Sequence, residues 1–235
     1  MVILLRRRHL LAVLCLLFLA TAVLAIRQGS PAISVMSSDG IGETVIIDAG
    51  HGGTDGGAVS QSGVIESDLN LQIARKTHAL FLFLGQSAVM TRTGEDGLYD
   101  PDSATIRQKK VADTRNRVEL INSYQPATLI SIHQNMLPNV PKVHGAQVFY
   151  NSQSHAQELA NTMQTVLNSS VNVGNVKTET AIPQNVYIMS HVNCDAVLVE
   201  CGFLSNSVET ELLQQSDYQR KLAAAIVSGY LTDKG

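Results

Sequence analysis

From residue 44 onward, short β-branched apolar runs alternate with longer stretches whose apolar positions recur at helical spacing. The runs 44–48, 87–91, 128–133, 147–150, 186–189 and 196–200 read as strands. Several are apolar without alternation, as strands buried on both faces must be. Between them, Leu69, Ile73, Thr77, Leu80 and Leu84 mark one face of a helix, with Ser67 placed to cap it and Gly85 to stop it. Residues 105–123 and 154–169 predict two further helices, and 207–231 one or two more. Strands alternating with helices imply a single α/β domain, a largely parallel twisted sheet covered by helices on both faces. In such sheets ligands bind beyond the carboxyl ends of the strands.

The first 43 residues follow a different pattern. Arg6, Arg7 and Arg8 precede seventeen residues, 10–26, broken only by the polar Thr21. As a helix that run spans about 26 Å, the short end for a bilayer. A basic flank before an apolar run is a signal peptide or an N-terminal membrane anchor, with the remaining chain outside the cytoplasm. Small residues at 20, 22, 23 and 25 fit signal peptidase, so cleavage and retention both stay open. Residues 27–43, with Gly, Ser and Pro and little periodicity, read as a linker. The folded part is then 44–235.

Composition narrows the function. Apolar residues make up 45% and charged residues 16%, enough to fill a core. Without the three leading arginines, 14 basic side chains face 20 acidic ones. That lacks the basic footprint of a nucleic-acid binder. No repeat at 20–50 residues signals a solenoid. Cys194 and Cys201 flank a strand that would hold their Cα atoms roughly 20 Å apart, so no disulfide joins them.

The unexpected polar residues cluster at strand ends. The first strand runs into Asp48-Ala-Gly-His51-Gly-Gly and then Asp55-Gly-Gly; Glu66 stands before Ser67; the third strand ends Ser131-Ile-His133-Gln-Asn135; the last ends Val199-Glu200-Cys-Gly-Phe203. In a sheet of the expected kind all four would converge at one edge. Two imidazoles and one carboxylate make an open zinc shell, and a further carboxylate can take a proton from water there. His51, Glu66 and His133 are therefore the candidate ligands of one Zn2+, and Glu200 the candidate general base. Competing explanations exist for each. The glycine-rich turn lacks the spacing of a phosphate cradle. Glu66 could simply favour a helix N-terminus. Glu200 is the sharper anomaly, because a carboxylate in an apolar strand needs a partner. Asp48 or Asn135 could orient a ligand imidazole, and Asp48 could equally cap the turn. Arg107, Lys109, Lys110, Arg115 and Arg117 read either as a solvated helix face or as an attractor of substrate carboxylates. Asn135 and Arg117 are the candidate substrate contacts. His78 reads as structural, and His144, His155 and His191 as surface or loop residues. Strand alternation turns Cys201 away from Glu200.

These motifs, in this order over about 44–231, resemble the zinc-dependent N-acetylmuramoyl-L-alanine amidases, and within them the germination-specific (spore cortex) type. The stretch Val111-Ala-Asp-Thr-Arg115-Asn-Arg117 resembles that type's second helix. The resemblance implies zinc on His51, Glu66 and His133, Glu200 as catalytic glutamate, and peptidoglycan as substrate. It further implies cleavage between N-acetylmuramic acid and L-alanine, in preparation for muramic δ-lactam formation. Ala49, Met136, Thr114 and Ile121 depart from the family's common residues without removing a ligand. Met136 puts substrate fit in question. The alternatives are a zinc carboxypeptidase or endopeptidase on the peptide stem, or an inactive wall-binding module. Oligomeric state, and whether an accessory protein loads metal or delivers substrate, are open from the residues.

Overall fold

The structure is a computed structural model that describes residues 42–99 and 105–235. The expected signal or anchor and most of the expected linker lie outside the described residues. Among the described residues no helix is long and apolar enough to cross a membrane.

The described residues form six strands: β1 Thr44–Ala49, β2 Ala88–Met90, β3 Ala127–Asn135, β4 Gln147–Tyr150, β5 Thr180–Ala181 and β6 Asp195–Phe203. They form one sheet in the order β2-β1-β3-β6-β4-β5. The first four of that order run parallel, β4 runs antiparallel to β6, and β5 is parallel to β4. The helices are α1 Glu66–Phe83, α2 Ile106–Asn122, α3 Ala156–Ser170, α4 Tyr187–His191, α5 Ser207–Leu213 and α6 Ser216–Lys234.

Alternation along the strands sorts the core into two layers. Val45, Ile47, Ile130, Ile132, Val197 and Val199 pack with Ile73, Phe81, Met163 and Ile226 of α1, α3 and α6. Ile46, Leu129, Ala196 and Leu198 face the other way, onto Val118 and Ile121 of α2 and Met189 of α4. Both faces are therefore covered, as the apolar strands require.

Two details differ from the sequence reading. The run 186–189 is not a strand but opens α4. Its β-branched and aromatic residues suit a strand locally. Here, however, the segment after Pro183 crosses the second face of the sheet and buries Met189 there. The sixth sheet position falls instead to the two residues of β5. Ser67 does not cap α1, which starts at Glu66 with Ile65 before it. The loop itself caps the helix: Ala58 O accepts from Glu66 N–H (2.9 Å) and Gly56 O from Ser67 N–H (3.0 Å). Capping by loop carbonyls leaves no vacancy for a serine hydroxyl. In α2, by contrast, Thr105 and Gln108 form a reciprocal capping box where the sequence places the helix start. Cys194 and Cys201 are both free and buried.

Candidate active site

The C-terminal ends of β1, β3 and β6 meet at one edge of the sheet. Asp48 pairs with Ser131 and His133 with Glu200 in the strand register. His133 and Glu200 are thus adjacent, on the face that carries Leu129 and Leu198. Cys201 points into the opposite layer, where burial pushes its thiol far up and makes it a poor nucleophile.

Glu66, at the first turn of α1, reaches under this edge. Its Oε1 lies 3.1 Å from His133 Nδ1 and 3.3 Å from His51 Nε2. One ligand atom from each of the three residues falls within 4.8 Å of the others. Donors about 2.0–2.2 Å from a tetrahedral ion stand roughly 3.3–3.6 Å from one another; the two imidazole–carboxylate separations lie close to this, and the two-nitrogen, one-oxygen donor set is one that zinc takes. The glutamate is itself anchored. Oε1 accepts from Gln134 N–H (3.2 Å) and Asn70 Nδ2 (3.3 Å), and Oε2 from Ala58 N–H (2.8 Å).

The electrostatics match a place for a cation. Burial works against the charge on Glu66, but the hydrogen bonds and fields of His133 and His51 prevail and hold its carboxyl far below the usual range. Burial likewise opposes charge on His51, yet Glu66 and Asp55 lift it to about 9. Each group holds the other charged; a metal ion would supply the same positive charge in place of the imidazole protons. Glu200 differs. Burial, with a smaller push from Glu66, raises it to about 7 against the pull of His133 and His51. Its Oε2 is shielded and has no hydrogen-bond partner among the described residues. A shielded carboxylate oxygen without a donor is costly and calls for a ligand or a role.

The turn that carries His51 is shaped by what it must approach. His51 has φ 60°, an uncommon conformation for a side-chain-bearing residue. Its carbonyl accepts from Arg117 Nη2 (2.6 Å). Arg117 Nη1 bonds Ala49 O (2.8 Å) and Asp48 Oδ1 (2.6 Å), and its Nε bonds Asp113 (2.8 Å). Arg92, at the end of β2, donates to the carbonyls of Ala49 (2.8 Å), Gly50 (3.1 Å) and Ser67 (2.9 Å). Two guanidiniums thus hold three successive carbonyls, 49, 50 and 51. A Cβ on Gly50 would lie 2.3 Å from the His133 ring, so only glycine leaves room for that imidazole against the turn.

Arg117 is accordingly not a substrate contact: it is 1% exposed and spends its donors on Asp48, Asp113 and backbone. The basic residues of α2 are not one patch either. Arg107 and Arg115 are exposed, Lys109 lies over the Tyr99 ring (5.3 Å) and Lys110 pairs with Asp55 (2.7 Å). Asp48 neither orients an imidazole nor caps the turn; it is buried between Arg117, Thr91 and Ser131. Burial opposes its charge, but Arg117 and the two hydroxyls hold it down at about 2. The residue that meets His51 Nδ1 is Asp55, at 3.0 Å. Asn135 is half-buried at the end of β3, its Oδ1 accepting from Met136 N–H (2.8 Å). His78 bonds Ala88 O, and His144, His155 and His191 are exposed. Asn70 had a readable signal, four residues beyond Glu66 on the same helix face. Arg92 and Gln134 had none.

Comparison with known proteins gives a consistent result. Residues 45–231 match the family described as N-acetylmuramoyl-L-alanine amidase. The germination-specific N-acetylmuramoyl-L-alanine amidase of Bacillus subtilis (strain 168) is 34% identical over 198 residues, 83% of this chain and 82% of that protein. The CwlD amidase from Clostridioides difficile, solved in complex with the GerS lipoprotein, superposes with a TM-score of 0.78 at 35% identity over 82% of this chain and 98% of that one. An N-acetylmuramoyl-L-alanine amidase from Clostridium difficile 630 gives 0.70 at 31% identity, over 82% and 97% of the two chains.

Proposed function

The chain belongs to the N-acetylmuramoyl-L-alanine amidase family, and from that premise we propose a zinc-dependent peptidoglycan hydrolase in which His51, Glu66 and His133 hold the ion and Glu200 is the general base. The observation that carries this reading is the meeting of three ligand atoms within 4.8 Å beside a shielded carboxylate oxygen with no hydrogen-bond partner among the described residues. The bond cut joins the lactyl group of N-acetylmuramic acid to L-alanine.

Zinc in this place would polarise the scissile carbonyl and bring the pKa of a coordinated water down toward about 7. The chain's own residues do the rest. Glu200 Oε2 receives a proton from the attacking water and later delivers it to the departing L-alanine nitrogen. Burial raises this carboxyl in the metal-free chain, which favours its taking a proton. Asn70, Gln134 N–H and Ala58 N–H keep Glu66 from swinging out. Arg92 and Arg117 fix the His51 turn, so the cluster is ordered before substrate arrives.

The proposal extends to setting. The identity with the germination-specific relative supports work on spore cortex, toward muramic δ-lactam formation. Export through the segment around residues 6–26, as a cleaved signal or a retained anchor, would place the domain outside the cytoplasmic membrane. The relative solved with a lipoprotein supports an accessory partner for this chain too.

Incubation of purified peptidoglycan with chain that is zinc-loaded, chelated, and chelated then reloaded tests the reaction. Mass spectrometry is expected to find intact stems beginning with L-alanine, lost on chelation and restored with zinc. Fragments cut within the stem would assign the site to a peptidase. Stems released equally with and without zinc would refute the zinc dependence.

A further inference from the structure

An imidazole has two nitrogens, and a ligand histidine is held in one orientation only if the second is engaged. His51 Nε2 faces Glu66, and its Nδ1 faces Asp55 Oδ2 at 3.0 Å. The other oxygen of Asp55 accepts from Lys110 Nζ at 2.7 Å and from Gly57 N–H at 3.3 Å. The backbone of Asp55 is fixed as well. Gly52 N–H donates to Asp55 O (2.8 Å) and Asp55 N–H to Gly52 O (3.1 Å), which closes a short turn that returns the carboxylate to the ring of residue 51. His133 is held differently, by packing on Gly50.

We propose that Asp55 is the positioning residue for the His51 imidazole, and that Lys110 on α2 in turn fixes the Asp55 carboxylate. The proposal rests on the reading of His51, Glu66 and His133 as metal ligands. A carboxylate on Nδ1 places the ring proton there, leaves Nε2 free as an electron-pair donor and raises its basicity. Asp55 accepts from three sides, so it cannot rotate away without breaking the lysine contact. Lys110 is half exposed, and as a surface ion pair it would contribute little to stability. Its position matters because it ties the ligand turn to a helix that carries none of the ligands. The site's geometry would then respond to what happens on α2.

The test uses the full chain. Zinc dissociation constants are measured by competition with a chromophoric chelator for wild type, Asp55→Ala, Asp55→Asn, Lys110→Met and Lys110→Arg, alongside unfolding midpoints of each metal-free protein. Loss of the carboxylate is expected to weaken zinc binding roughly 10–100-fold. Asp55→Asn should fall between, since its amide oxygen accepts the bond without the charge. Lys110→Met should show a smaller loss that Lys110→Arg restores, with metal-free midpoints unchanged. Wild-type affinity in both Asp55→Ala and Lys110→Met would overturn the proposal. So would an affinity loss matched by an equal fall in metal-free stability, which marks Asp55 as a turn-former only. Failure of wild type itself to bind zinc would instead refute the ligand assignment.

Discussion

Arg117→Met removes the buried cation that the site turn is built on. Asp48 is 0% exposed and Arg117 1%, and their nearest atoms are 2.6 Å apart. Deleting one partner of such a pair costs about 3–5 kcal/mol, because the other charge stays buried and uncompensated. The carbonyls of Ala49 and His51 lose a donor too. At 2–4 °C per kcal/mol for a domain of this size, the midpoint should fall by about 6–20 °C at pH 7. The pH dependence separates this cause from loss of packing. In wild type Asp48 lies at about 2 when folded, against 3.8 as a model value. A depressed carboxyl contributes stability that is present above pH 3.8 and lost as pH falls toward 2, about 2 kcal/mol here. In the variant the guanidinium is gone and burial dominates, so the folded Asp48 pKa rises above the unfolded one. The variant therefore regains stability as Asp48 protonates on acidification from pH 7. Urea unfolding of both chelated proteins at pH 7 and pH 4.5 reads the gap directly. The gap should be smaller at pH 4.5, and Asp48→Asn added to Arg117→Met should recover part of the loss. A cost below about 1 kcal/mol, or a gap independent of pH, would refute the role given to this pair.

Glu200→Gln should retain zinc and lose about 10²–10⁴ in turnover on peptidoglycan. The same metal-free variant should be more stable than wild type at pH 8, by on the order of 2–3 kcal/mol. A carboxyl raised from 4.5 to about 7 favours folding at low pH and loses that contribution as pH rises through 7. The advantage should vanish at pH 4, as denaturant unfolding would show. Gly50→Ala puts a methyl 2.3 Å from the His133 ring. It should cost about 1–3 kcal/mol of metal-free stability and at least tenfold in zinc affinity, measured by unfolding and chelator competition.

The α/β class was readable from the chain alone, and so were the four motifs that meet at one sheet edge, with His51, Glu66, His133 and Glu200 as the candidate residues in them. Each leaves a local mark: an apolar run stopped by a polar group, or a carboxylate where alternation demands a hydrophobe. Strand alternation also sent Cys201 to the far layer, where it is found. What lay beyond the sequence depends on partners far along the chain. Arg117 looked like one of five cations on a helix; only the packing of α2 against β1 decides that it meets Asp48, 69 residues away, and no longer faces solvent. The run 186–189 carries strand-forming side chains, yet its place on the second face of the sheet makes it helical. Asp55 stands four residues from His51, but whether its carboxylate reaches Nδ1 depends on the turn closed by Gly52 and on a lysine from α2. Local hydrophobic pattern fixes which face a residue takes, because that choice repeats every two or 3.6 positions. The partner of a buried charge follows no period, and is decided only when the chain closes on itself.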